Sequence, residues 1–162
     1  MERQFLKVAN LKSQTSHLEK DTTEDWLHIL VAYDSHGTYA KEADNSLLAR
    51  LVDGSVQVLL TGDCEATCER EVSATSKIGS VVLNVGHHGA STASSTLFLS
   101  KVKPKIAVIQ AGVNNQYGHP KPDVITRLLK AGVTREQIYR TDKQSSIVVV
   151  SDGLTVEVDT EK

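Results

Sequence analysis

Apolar residues fall into short runs that begin at Trp26, and polar or glycine-containing stretches separate them at intervals that suit a layered α/β domain. Residues 1–25 are rich in Lys, Glu, Thr and Ser and weakly patterned, so they are expected to be the least constrained segment, with the domain proper over 26–162. "WLHILVAY", from Trp26, is β-branched and aromatic and predicts a strand, and "DSHGTYAKEAD" reads as a loop. "NSLLARLVDGSVQVLLTGD" holds two apolar runs around Asp53-Gly54, a hairpin signal. "CEATCEREVSATSK" turns helical, its early acidic residues suiting a helix N-terminus. "SVVLNV" is a further strand, "SSTLFLSKV" a short helix opened by serine caps, and "KIAVIQAG" another strand. "DVITRLLKAG" predicts a helix with Gly132 at its C-terminal cap. "QIYRT" and then "SSIVVVSDGLTVEVD", a second hairpin through Asp152-Gly153, close the chain. Strands, helix, strand, helix, strand, helix, strands: the order predicts an α/β domain with mixed sheets rather than a regular βαβ array.

Composition narrows the function classes. At 162 residues, 40% hydrophobic and 23% charged, the chain suits one ordered domain with a real core. A net charge of −2 gives no electrostatic case for binding to nucleic acid or to an anionic membrane by bulk attraction, so any such binding would have to come from a local site. No apolar run approaches the roughly 20 residues of a transmembrane helix. "MERQFLKVANLKSQ" lacks the apolar centre of a secretory signal. The expectation is a cytoplasmic protein without membrane contact, or an exported or tethered one if it forms part of a larger chain. Cys64 and Cys68 make no disulfide framework; four apart on a predicted helix, they read as small packing residues sharing a face.

Three polar clusters follow apolar strands: Thr61-Gly62-Asp63, Gly86-His87-His88-Gly89 and Tyr117-Gly118-His119-Pro120. Loops beyond strand ends are where functional residues gather in layered α/β domains. An Asp and several His arriving at one sheet edge suit Zn²⁺ or Mn²⁺. Taken singly, Asp63 also fits a turn and His119 a loop, while His87 and His88 stand evenly between ligand and loop residue. Neighbours at a strand end point in different directions, so one of the pair is expected to face the site and the other to orient it. His17, His28 and His36 are assigned no role.

The segments "DNSLLARLVDGSVQVLLTGDCEATCERE", "VVLNVGHHGASTASS", "LSKVKPKIAVIQAGVNNQYGHPKPDVITRLLKAGV" and "YRTDKQSSIVVV" cover about residues 44–150. Together and in order they resemble the metallo-β-lactamase fold, and more narrowly the C-terminal hydrolase domain of ComEC-type DNA-uptake proteins. The resemblance implies an αββα sandwich with mixed sheets, here mainly its C-terminal half, and a metal-dependent phosphodiesterase or nuclease activity. It implies metal ligands at Asp63, His88 and His119, a ligand or general acid among His87 and His88, and orienting roles for Asn45 and Ser46. The upstream His-x-His-x-Asp-His cluster of that family is absent from residues 1–44, so the remaining ligands are expected from another segment or chain. The alternative is a non-catalytic partial domain acting as an interaction or regulatory module. A half-sandwich is expected to leave an apolar sheet face exposed, to be covered by a second copy or a partner chain. Nucleic acid or another phosphodiester is the expected substrate. A phosphate-binding module ranks lower, since no Gly-rich phosphate loop follows a strand.

Overall fold

The computed structural model describes the backbone of Leu6–Asn10 and Leu27–Val31, and residues 46–162. Among the described residues, strands β2 (Leu27–Val31), β3 (Leu47–Asp53), β4 (Val56–Leu60), β5 (Val82–Asn84), β6 (Ile106–Ile109) and β7 (Ile138–Arg140) form one sheet in that order. A second sheet has β8 (Ile147–Ser151) between β1 (Leu6–Asn10) and β9 (Val156–Thr160). Strands β2, β3 and β4 pair antiparallel, whereas β4 through β7 run parallel. Parallel neighbours need crossovers, and helices α1 (Ala66–Thr75), α2 (Thr96–Val102) and α3 (Pro122–Lys130) supply them. The C-terminal ends of β4, β5 and β6 therefore emerge along one edge, where the three polar clusters lie.

Local chemistry explains most boundaries. Asp53 pairs with Val56, so the first hairpin's loop is Gly54-Ser55, one residue later than the sequence signal, with Gly54 at φ 55°. Ser55 N–H donates to Gly153 O at 2.7 Å, which clasps the turns of the two hairpins together. The Ser95 hydroxyl caps α2 by accepting from Phe98 N–H. Pro122 opens α3 and Gly132, at φ 98°, follows its last turn. Additional to the sequence expectation are β1, inside the segment read as weakly patterned, the short 3-10 turn Arg135–Gln137 and the single turn α4 (Thr141–Gln144).

Alternation along the strands splits the apolar residues into two cores. On one face Leu48, Leu59, Leu83, Ala107 and Ile109 pack under Cys68, Val72, Phe98, Leu99, Val102, Val124 and Leu128 of the helices. On the other, Val58, Val82, Ile106 and Val108 meet Ile147 and Val149 of the second sheet. The expected exposed sheet face is thus corrected: β8 and its neighbours cover it from within the chain, so this face gives no reason for a covering partner.

The cysteines are a second correction. Cys64 and Cys68 are joined by a disulfide, with 5.5 Å between their Cα atoms. They do not share one helix face, because Cys64 precedes α1 and the bend there brings its sulfur onto the first turn. Both are also fully buried, so their packing role stands beside the bond. No helix among the described residues is long and apolar enough to cross a membrane.

Candidate functional site

The loop after β4 is set by backbone geometry. Gly62 turns at φ 53°, its carbonyl accepts from His87 N–H at 2.9 Å, and Asp63 N–H donates to the Ser46 hydroxyl at 3.1 Å. Ser46 thereby fixes the Asp63 backbone; Asn45 lies outside the described residues. The Thr61 hydroxyl donates to Asn84 O at 2.8 Å, which ties this loop to the end of β5.

After β5 the chain makes a tight turn over Gly86–Gly89, with left-handed backbone at both His87 (φ 48°, ψ 43°) and His88 (φ 55°, ψ 20°). Non-glycine residues hold that conformation at a cost of about 1–3 kcal/mol each, and only where their surroundings fix them. Here the fixing contacts are specific. His87 Nδ1 lies 3.0 Å from Glu65 Oε1, which also accepts from the Thr92 hydroxyl at 2.5 Å. His88 Nδ1 donates to the carbonyl of Gln110 at 2.8 Å. A carbonyl only accepts, so the His88 proton is placed on Nδ1 and Nε2 is left to face outwards.

The third loop comes against the second. Lys121 N–H donates to Gly89 O at 2.9 Å, and a Cβ at Gly89 would collide with Pro120. His119, held by its N–H donating to Asn115 Oδ1 at 2.8 Å, brings its ring centroid within 6.1 Å of His87. His88 Nε2 stands 3.9 Å from Asp63 Oδ1. Both histidines of the pair therefore border the same space, His87 towards His119 and His88 towards Asp63. The strand-like alternation expected of them does not operate in a left-handed turn. Partial burial holds His119 below the usual imidazole range, helped by the charges of Lys121, His87 and His88.

No family model matches the chain. It is 35% identical over 109 residues to ComE operon protein 3 of Bacillus subtilis (strain 168), covering 67% of this chain and 14% of that protein. It is 37% identical over 106 residues to competence protein ComA of Neisseria gonorrhoeae, 63% of this chain and 15% of that one. Recombination protein 2 of Haemophilus influenzae is 36% identical over 109 residues, 64% of this chain and 14% of its own length. The likeness is to proteins whose names refer to competence and recombination. The chain spans only about a seventh of each relative.

Asp63, His87, His88 and His119 gather at one sheet edge. Among the described residues, however, no three His, Cys, Asp or Glu side chains converge closely enough to hold a metal ion. Of the remaining histidines, His17 and His36 lie outside the described residues, and only the backbone of His28, in β2, is described. Sequence reasoning missed Glu65. Its position two residues after Asp63 suggested a helix-dipole role, yet it stands at the N-cap of α1 without capping through its side chain, which turns to His87 instead. It also missed the carbonyl of Gln110, which no side-chain pattern can announce.

Proposed function

We propose that this chain is the C-terminal lobe of a metal-dependent phosphodiesterase of the metallo-β-lactamase fold, acting on nucleic acid in a competence-type protein. The observation that carries the reading is the gathering of three imidazoles beside Asp63, with the Nδ1 atoms of His87 and His88 each held by an oxygen acceptor. Their Nε2 atoms are not used by these bonds, and that of His88 stands 3.9 Å from Asp63 Oδ1. An Nε2–H of this pair would donate to a phosphate oxygen and deliver its proton to the leaving oxygen. The lowered proton affinity of His119 favours the neutral ring, the form a metal ligand needs.

A divalent ion, Zn²⁺ or Mn²⁺, would supply water activation and charge neutralisation at phosphate. The described residues do not by themselves fit such an ion: Asp63, His88 and His119 fall short of a closed four-coordinate sphere. We assign the remaining ligands to residues outside those described or to a further polypeptide. The same shortfall favours a second reading, a non-catalytic lobe kept as an interaction module.

Metal analysis and phosphodiesterase assays with added Zn²⁺ or Mn²⁺ separate the two. The first reading expects bound metal and hydrolysis once a fragment carrying the His-x-His-x-Asp-His cluster is supplied. Metal-free, inactive protein in both settings leaves the second. Within an active form, Glu65→Ala frees the His87 ring and is expected to lower kcat roughly 10- to 100-fold with little change in KM. Glu65→Gln, which restores an acceptor without charge, should recover part of that loss; equal damage by both would make the carboxylate's charge, rather than ring orientation, the decisive property.

A further inference from the structure

We propose that Tyr117 is a stacking platform for a nucleobase, and that the hollow beside it takes one base of a single-stranded nucleic acid. The proposal rests on the phosphodiesterase reading of the adjoining site. Aromatic side chains bring a large apolar surface that folding normally buries. Tyr117 is nevertheless 65% exposed, and Val113 on the same loop 63%.

The loop that presents Tyr117 is tightly built. The Asn115 side chain donates to Gly112 O at 2.9 Å and to His119 O at 2.7 Å, while its own oxygen accepts from His119 N–H. Lys121 Nζ donates to Tyr117 O at 2.6 Å. The His119 ring stacks on Tyr117 with 5.8 Å between centroids and 27° between planes. One face of the phenol ring is thus backed by an imidazole of the site, and the ring's exposure leaves room for a second planar group. Because the loop is already ordered, a ligand that stacks there loses little to ordering it.

The adjoining hollow, of about 210 Å³, is lined by His88, Ala111, Gly112, Asn115, Tyr117 and His119. It places a flat apolar surface directly beside two imidazoles. The matching ligand is planar and apolar at one end and anionic at the other, which describes a nucleotide unit with its base on Tyr117 and its phosphate towards His88 and His119. In a duplex the base faces are hidden by stacking, so the surface selects single strands.

Fluorescence anisotropy with a labelled single-stranded oligonucleotide, in EDTA to prevent cleavage, tests this on the full chain. Tyr117→Ala is expected to weaken binding roughly 5- to 100-fold, and Tyr117→Phe to bind close to the unaltered protein. An abasic strand and a duplex of the same sequence should bind less well and be indifferent to Tyr117→Ala. Unchanged single-strand affinity in Tyr117→Ala, equal losses on all three ligands, or no binding by the unaltered chain would each overturn the platform. Base-dependent binding with no hydrolysis after metal and the complementing fragment are added would leave the platform standing and remove the phosphodiesterase reading.

Discussion

Asp63→Ala is expected to lower metal-dependent phosphodiester hydrolysis by about 10³-fold or more, the equivalent of about 4 kcal/mol of transition-state stabilisation. The assay is made on whichever form hydrolyses phosphodiesters, the chain alone or the chain complemented by the histidine-rich lobe. The size of the effect follows from position. The Asp63 carboxylate sits at the end of β4, half exposed, and its approach to the site is the 3.9 Å contact with His88 Nε2. The loop beneath it is held by backbone and by Ser46, Thr61 and His87, none of which uses the carboxylate. Removing it should therefore leave the fold within about 0.5 kcal/mol of the original. His119→Ala should act in the same direction, with retained folding and reduced metal content in the complemented form. If neither variant loses activity, the chemistry lies elsewhere on the molecule. If both lose activity only in proportion to unfolding, Asp63 and His119 are structural residues.

The residues with the plainest chemistry were legible because each follows an apolar strand: Asp63 after β4, His87 and His88 after β5, His119 beyond β6. So were the elements whose signals are local. Gly54 marks a hairpin because its φ of 55° suits glycine, and the Pro122 and Gly132 pair brackets α3 for the same kind of reason. What was not legible depends on partners far along the chain. Leu6–Asn10 becomes a strand by pairing with Ile147–Ser151, about 140 residues on, and a polar neighbourhood hides it. The second sheet that this pairing completes is what covers the face expected to be bare. The disulfide escaped because four-residue spacing was read on a continuous helix, whereas α1 starts after Cys64. Glu65 escaped because only the folded turn at His87 shows where its carboxylate goes.

A second buried carboxylate governs whether the histidine loop exists at all. Glu69, on α1, is 2% exposed and accepts from the N–H groups of both Ser94 and Ser95, at the far end of the loop that begins at His87. From the other side Arg127, on α3, donates to the carbonyls of Ser91, Ala93 and Ser94 and pairs with Asp123 at 2.7 Å. The loop has only a few turn-type backbone hydrogen bonds, among them Ala90 N–H to His87 O and Ala93 N–H to Ala90 O, and these two side chains add to them. Glu69→Ala leaves the buried N–H of Ser94 and the half-buried N–H of Ser95 without their acceptor and opens a small cavity. It is expected to cost about 3 kcal/mol, a fall of roughly 6–12 °C in thermal midpoint for a chain of this size. Burial pushes the Glu69 carboxyl above its ordinary range, against the hydrogen bonds from Ser95 and Ser94 and the charge of Arg127. The folded state then holds this proton more tightly than the unfolded one. The stability tied to that proton is complete below the ordinary carboxylate range and declines as pH rises through the raised value. Glu69→Gln cannot ionise, so its unfolding curve should lack this decline while keeping one acceptor for the loop. A thermal midpoint for Glu69→Ala within a degree of the unaltered chain, or the same pH dependence in Glu69→Gln, would show that the loop is held by other contacts.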